Sequence, residues 1–314
     1  MAEKNAVSIC IPAYRAKDFI AETLQSALSQ TWPVEIFVSV DPADDDTATR
    51  VRDELAGRSA TIIEQQKRLG WVGNCNAALR LARTRHVMLL PHDDILEPTY
   101  VERCMTALAA EPNAILAYSD IGMMTARKNV VREPSERGPH LARIARMVRS
   151  HFNAVAFRGV FRRRRTTRFA IPKSLGNFAA DTLWVARMAA QGDIVRVPEV
   201  LYRKRTSPRS AHMPWKRASE AELDDMWVVH CFELYRTLAL VRPAILTDRT
   251  IRDAFRSRLM REDVHFRSIK HSPRQLDPAK SLARQVATIY ARAARRHPHY
   301  SWSGQDSDTA RTLR

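Results

Sequence analysis

Apolar residues alternate with small or polar ones at Val7, Ile9 and Ile11. That two-residue period predicts a short buried strand, stopped by Pro12 and followed by a loop. Asp18 stands where a helix cap belongs, ahead of Phe19, Ile20, Leu24, Ala27 and Leu28 at helical spacing, and Pro33 ends that unit. Residues 35–40 (EIFVSV) read as a second strand with Asp41 at its carboxyl end. The loop DPADDDT then leads into a helix running through Val51 and Leu55. Residues 60–64 (ATIIE) form a third strand, a helix starts near Gly73, and residues 87–90 (VMLL) form a fourth strand that Pro91 closes before His92, Asp93 and Asp94. Strand and helix in strict alternation are the rhythm of an α/β fold with a mainly parallel sheet. In such sheets ligands bind beyond the carboxyl ends of the strands, which is where these carboxylates fall.

The pattern then loosens. Residues 100–108 predict a helix and 115–118 (ILAY) a strand. Leu141, Ile144 and Met147 recur three apart, as on an amphipathic helix. Phe161 followed by four arginines, Arg162 to Arg165, reads as a strand or turn on a basic edge. Residues 181–188 predict a helix, and 195–202 a strand interrupted by Pro198. Helical patterns return over 220–244 and 281–296, and the polar stretch from Ser301 reads as a disordered tail. The expected organisation is therefore an α/β domain over 1–206, a mainly helical extension over 207–300 and a tail over 301–314.

Charge sharpens this picture more than composition does. The chain has 314 residues, 45% hydrophobic and 27% charged, with a net charge of +17. That balance belongs to a globular protein with material for a core. The excess is uneven: residues 1–126 carry a net −5, residues 127–170 a net +11, residues 171–202 none, and residues 203–314 a net +11. An acidic half is thus followed by two basic regions, which suit solubility, an anionic membrane surface, nucleic acid or an anionic substrate. No zinc-finger spacing, zipper or aromatic-interleaved RNA motif accompanies the charge, which argues against specific nucleic-acid binding. Cys10, Cys75, Cys104 and Cys231 are widely spaced, so a reducing compartment is expected, with Cys10 and Cys75 as small buried hydrophobes. The amino terminus has no signal-peptide pattern, and no apolar run is long enough to span a membrane.

The chemistry-bearing residues cluster at the predicted strand ends. GxGxxG and GxxxxGK[ST] are both missing, so neither a dinucleotide site nor a P-loop is supported. The histidines show no HExxH or comparable zinc spacing. Asp93 and Asp94 can hold a divalent cation of the Mg²⁺ or Mn²⁺ type, or one of them can cap the following helix. Asp41, with Asp44, Asp45 and Asp46, allows the same two readings.

Taken together, the motifs resemble the inverting glycosyltransferases of family 2. The matching residues are Pro12, Ala13, Tyr14, Ser26, Gln30, Thr31, Asp41 and Asp45 in the opening segment. Gly70, Gly73 and Asn76 match in RLGWVGNCNAALRLAR, and LLPHDDIL is similar to the family's metal-binding acidic block. In NFAADTLWVARMAAQGDIVRVPEVLYRKR the matching residues are Asp181, Trp184, Arg187, Gly192, Pro198, Leu201, Tyr202 and Arg205. The resemblance covers about residues 6–206 and implies a GT-A fold, a Rossmann-like nucleotide-binding sheet flanked by helices. Val40, Pro91 and Ala180 depart from the pattern, each standing where the family carries a carboxylate.

The resemblance implies transfer of a sugar from a nucleoside diphosphate donor, UDP-sugar favoured, to a hydroxyl of a glycan or lipid-linked acceptor in polysaccharide synthesis. It assigns donor contacts to Pro12, Ala13, Tyr14, Asp41, Gly70, Asn76, His92, Asp93, Arg203 and Arg205. It gives the Mg²⁺ or Mn²⁺ to Asp93 and the catalytic base to Asp181. His92 is a ligand, a phosphate donor or a loop cap, and Trp71, between two glycines, shapes the pocket or joins the core. Residues 127–170 would then line the acceptor entrance and favour an anionic acceptor. The chain is expected in the cytoplasm, with adhesion to the inner face of a membrane as a further expectation. The three departures motivate an alternative, a noncatalytic GT-A-fold binding or scaffold subunit.

Overall fold

A computed structural model describes residues 5–125, 129–150, 154–164, 169–172, 174, 177–206 and 219–260, with 288, 291, 292 and 295 beyond them. The early alternation becomes β1 (Val7–Ala13), α1 (Ile20–Leu28), β2 (Val34–Val40), α2 (Thr47–Glu54), β3 (Ala60–Glu64), α3 (Gly70–Leu81) and β4 (His86–Leu89). The four strands lie parallel in the order β3-β2-β1-β4. β1 is buried on both faces, which is why its apolar character is nearly continuous. Pro12 does not stop it. The β4 partner ends its pairing at Cys10, so the missing N–H of Pro12 breaks no ladder bond on that side. Nor does Asp18 cap α1: the carbonyl of Ala16 instead receives the N–H groups of Phe19 and Ile20.

Past β4 come β5 (Ile95–Leu96), α4 (Tyr100–Ala110), β6 (Ala114–Met124), β7 (Val130–Val131), α5 (His140–Ser150), β8 (Val160–Arg162), α6 (Ala180–Ala189) and β9 (Asp193–Arg205). The sheet continues β4-β8-β6-β9-β5, with β8 antiparallel to both neighbours and β6 parallel to β9. The Pro198 interruption is a bulge. Ser119 pairs with Val197 and Asp120 with Val200, so Pro198 and Glu199 bow out and β9 carries on to Arg205.

β8 sits in the middle of the sheet, not on a basic edge. Its arginines cap helices: Arg162 donates to the carbonyls of Leu108, Pro112 (2.8 Å) and Ala114 (3.0 Å) beyond the end of α4. Arg163 donates to Ala82 and Arg83 just past α3, and Arg164 to Pro112 at 3.1 Å. Guanidinium donors at orphan carbonyls and at the negative end of the dipole stabilise a helix terminus. Arg162 pairs with His86, the first residue of β4. Arg162 to Arg164 therefore lie at the amino edge of the parallel strands, opposite the carboxyl edge, and not at the expected acceptor entrance; Arg165 lies outside the described residues.

The segment after β9 is not separate packing. α7 (Glu220–Val241) opens on a capping box between Ser219 and Glu222. With α8 (Arg249–Met260) it closes a second apolar cluster that includes Ile144 and Val148 of α5, Leu183 and Ala186 of α6, and Leu234, Leu238, Ile251 and Phe255. No helix of the described residues is long and apolar enough to cross a membrane. The predicted helix over 281–296 is helical at its four described positions, 288, 291, 292 and 295, and the expected tail from Ser301 lies outside the described residues.

Gly192, between α6 and β9, is fixed by proximity. A Cβ there would stand 2.7 Å from Ile115 Cβ and 2.8 Å from the Asn113 carbonyl oxygen. Gly192→Ala is expected to destabilise the fold by about 1–3 kcal/mol in chemical denaturation, since backbone must move to admit the methyl. An unchanged midpoint would contradict that close approach.

Candidate active site

The carboxyl ends of β1, β2, β4, β6 and β9 meet at one edge of the sheet, and the loops there are tied to one another. Asp41, buried just past β2, accepts the N–H groups of Leu69 (3.0 Å) and Gly70 (2.9 Å). Gly70 has φ +71°, a left-handed conformation that favours glycine, so this turn into α3 depends on it. Burial raises the Asp41 carboxyl from its ordinary range, against the pull of those two N–H groups and of Arg68. Asn74 donates to the Ala13 carbonyl at 3.0 Å. The β1 and β2 loops are latched by Arg15 to Asp44 (2.9 Å) and by the Ala16 N–H to Thr47 Oγ1 (2.7 Å). Asp45 accepts the Thr47 N–H at 3.3 Å, the capping reading of that acidic run. Tyr14 lies under the guanidinium of Arg68, 4.3 Å from ring centroid to Cζ.

Asp93 and Asp94 separate sharply. Asp94 is buried and fully engaged: Oδ2 accepts Tyr202 Oη–H at 2.6 Å and faces Arg158 Nε at 3.4 Å, and Oδ1 accepts the Arg205 N–H at 3.0 Å. Burial pushes its carboxyl up, and Arg158 opposes that. Asp94 is thus the knot that ties the loop after β4 to β9 and to Arg158 in the turn ahead of β8. Asp93 is half-buried, and no hydrogen bond or ion pair engages its carboxylate among the described residues. Its carbonyl receives Arg205 Nε at 3.2 Å. His92 Nδ1 lies 3.0 Å from the Pro12 carbonyl, an acceptor only, so Nδ1 donates to it, and no hydrogen bond engages Nε2 among the described residues. The loop-cap reading of His92 and an open ring nitrogen thus coexist.

Asp181 occupies the first turn of α6. Its Oδ1 accepts the Thr182 N–H at 2.9 Å, and no other bond engages it among the described residues. Asn177 (φ 56°) and Ala179 (φ 47°) both take left-handed backbone just before it. Strain of this kind in residues other than glycine concentrates at functional sites. Asp181 acts electrostatically on Arg158, Lys204 and Glu133.

Other predicted contacts are occupied within the chain. Asn76 spends both ends of its amide on Ile171, Nδ2 to the carbonyl (3.0 Å) and Oδ1 from the N–H (2.7 Å). Arg203 pairs with Glu97 across β5 and β9, and Arg205 with Glu22, while its guanidinium covers Phe19 at 4.9 Å. Trp71 meets Phe157 edge-on at 6.4 Å against the main core. Gln30 is a framework residue: its amide bonds the Glu97 carbonyl (2.9 Å) and the Val101 N–H (3.0 Å), holding the segment after Asp94.

Residues 8–165 match the sequence pattern of glycosyl transferase family 2. The chain belongs to that family. A chondroitin synthase of Escherichia coli is 32% identical over 128 residues, 40% of this chain and 18% of the relative. The Escherichia coli UDP-Glc:alpha-D-GlcNAc-diphosphoundecaprenol beta-1,3-glucosyltransferase WfaP is 32% identical over 115 residues, 36% of this chain and 45% of the relative. The chain thus matches less than half the length of these curated relatives. Among solved structures, Staphylococcus aureus TarS 1-349 in complex with UDP-GlcNAc has a TM-score of 0.58 at 16% identity, over 98% of this chain and 90% of that one. The mannosyltransferase PcManGT of Pyrobaculum calidifontis, in complex with GDP-Man and Mn2+, has a TM-score of 0.51 at 17% identity, over 96% and 84%. The fold is the GT-A fold.

For this family 2 chain, two of the three departures are packing positions. Val40 and Ala180 are buried members of the main core, so apolar residues there fill space. Three residues at the site escaped sequence reading: Arg158 and Lys204 carry no motif of their own, and Glu133 lies in a stretch read only as basic. Asp94, read as a cation ligand or a helix cap, instead spends both oxygens on Tyr202, Arg158 and the Arg205 N–H. Lys204 had one usable signal, its place two residues after Tyr202 on one strand face. Burial raises Glu133 to about 7, although the Val155 N–H at 3.2 Å and Arg158 oppose it. Between its ordinary 4.5 and about 7 the folded chain keeps a proton that the unfolded chain has lost, so stability falls as pH rises through that window. Glu133→Gln is therefore expected to gain stability relative to wild type from about pH 5 to about pH 8 in urea denaturation. A pH-independent difference would contradict the raised carboxyl.

Proposed function

We propose that the chain is an inverting glycosyltransferase that moves a sugar from a nucleoside diphosphate sugar to a hydroxyl of a glycan or lipid-linked acceptor in polysaccharide synthesis. The observation that carries it is the pair of carboxylates left open at the carboxyl edge, Asp93 on the loop after β4 and Asp181 on the first turn of α6, with Arg158 and Lys204 charged against Asp181. One carboxylate for the leaving-group side and one for the attacking side is what a single displacement with inversion needs.

Asp181 takes the proton of the acceptor hydroxyl as its oxygen bonds to the anomeric carbon. The bond from that carbon to the diphosphate oxygen breaks, and the nucleoside diphosphate leaves. Among the described residues no three His, Cys, Asp or Glu side chains form a ready-made metal cluster. The open Asp93 carboxylate nonetheless fits a hard divalent cation that takes most of its oxygens from phosphate and water. A bound Mg²⁺ or Mn²⁺ would neutralise charge developing on the diphosphate. Pro12, Ala13, Tyr14 and the Asp41–Gly70 turn form the floor for the nucleoside.

The donor is favoured as a UDP-sugar, because relatives named for UDP-Glc and UDP-GlcNAc share the family or the fold. The acceptor in WfaP's name, alpha-D-GlcNAc-diphosphoundecaprenol, supports an acceptor of the lipid-linked class here, which would bring the chain to a membrane surface. The family match and the activities the relatives are named for favour this reading over a noncatalytic subunit. Calorimetric titration with UDP and GDP, with Mn²⁺ and after chelation, tests the reading. One nucleoside diphosphate is expected to bind, more tightly with the cation; binding of neither under either condition would overturn it.

A further inference from the structure

Lys204 lies on β9 two residues beyond Tyr202, so the two side chains share one face of the strand. Tyr202 on that face donates to Asp94, and the Arg158 guanidinium stands 5.8 Å from the Tyr202 ring centroid. The charges of Arg158, Asp94, Asp181 and Asp93 all act on Lys204. Asp94 is already taken by Tyr202, Arg158 and the Arg205 N–H, and Arg205 by Glu22. No ion pair or hydrogen bond engages the Lys204 ammonium among the described residues, although the side chain is half-buried. A half-buried ammonium beside an arginine, with two open carboxylates in range, is placed to receive an anion from outside the chain.

We propose that Lys204 binds the terminal phosphate of the donor diphosphate, between the leaving-group side at Asp93 and the base Asp181. This rests on the donor reading above. The ammonium meets the phosphate oxygen from which the sugar departs, and so stabilises the charge that collects there as the bond to the anomeric carbon breaks. Arg203 and Arg205, assigned to the diphosphate by motif alone, are held by Glu97 and Glu22, which leaves this task to their neighbour.

The test compares UDP with UMP, which lacks the terminal phosphate, by calorimetry with Mn²⁺ on wild type, Lys204→Gln and Lys204→Arg. Lys204→Gln is expected to weaken UDP about tenfold and UMP less than about twofold, and Lys204→Arg to recover most of the UDP affinity. Retained UMP binding also shows that the variant is folded. Equal losses for the two nucleotides, or no loss for UDP, would overturn the inference while leaving the donor reading intact. A wild-type chain that binds neither UDP nor GDP would overturn both.

Discussion

Asp181→Asn is expected to lower acceptor-dependent transfer by about 10²–10⁴-fold, the range a positioned general base contributes. The substitution is nearly isosteric, and the amide oxygen can still accept the Thr182 N–H that Oδ1 accepts at 2.9 Å. The first turn of α6 therefore keeps its shape. What disappears is the capacity to take a proton. Nucleotide affinity should stay within about twofold, because the proposed site puts the donor's diphosphate on the Asp93 side. Steady-state transfer assays alongside nucleotide titration check both halves. Transfer at the wild-type rate would remove Asp181 from the base role, and a parallel loss of nucleotide binding would recast it as a structural residue.

The second large effect is at Asp93. Asp93→Ala is expected to lower turnover by about 100-fold or more and to erase the difference in nucleotide affinity between Mn²⁺ and chelator. Its carboxylate makes no bond within the described chain, so its loss should leave thermal stability nearly untouched. That separates it from Asp94, whose two oxygens hold Tyr202, Arg158 and the Arg205 backbone. Unaltered cation dependence in Asp93→Ala would remove Asp93 as the metal residue.

How much of this was legible in the sequence depends on whether the signal was local. β1, β2 and β4 follow from apolar runs that the sheet buries, β3 from a short apolar run at the sheet's edge that stays half-buried or exposed, and α5 from Leu141, Ile144 and Met147 at helical spacing. The extent of β9 was hidden by Pro198, which marks a bulge that only the β6 register reveals. The arginines after Phe161 read as a basic edge, in a region expected at the acceptor entrance. Their partners are carbonyls more than 45 residues away at the ends of α3 and α4, a relation no local pattern carries. Asp181 and Asp93 could be singled out as candidates because motifs flank them. Asp94's knot, Arg158 and Lys204 could not, since their meaning arises where the loop after β4, the start of β8 and the end of β9 converge. The basic charge also changes meaning: Arg132 meets Asp120 and Arg137 meets Glu111 with the arginines at the surface, and Arg143 meets Asp193 inside the fold.

The proposed chemistry at this edge of the sheet is cleavage of a nucleotide–sugar bond with inversion. It is tested most directly by incubating the full chain with a panel of UDP- and GDP-sugars and Mn²⁺ or Mg²⁺, following nucleotide release and the anomeric configuration of the freed sugar by NMR. The account predicts slow hydrolysis of one donor, stopped by chelation, with the opposite anomer appearing first. Retention of configuration, or no release from any donor by folded protein, would contradict it.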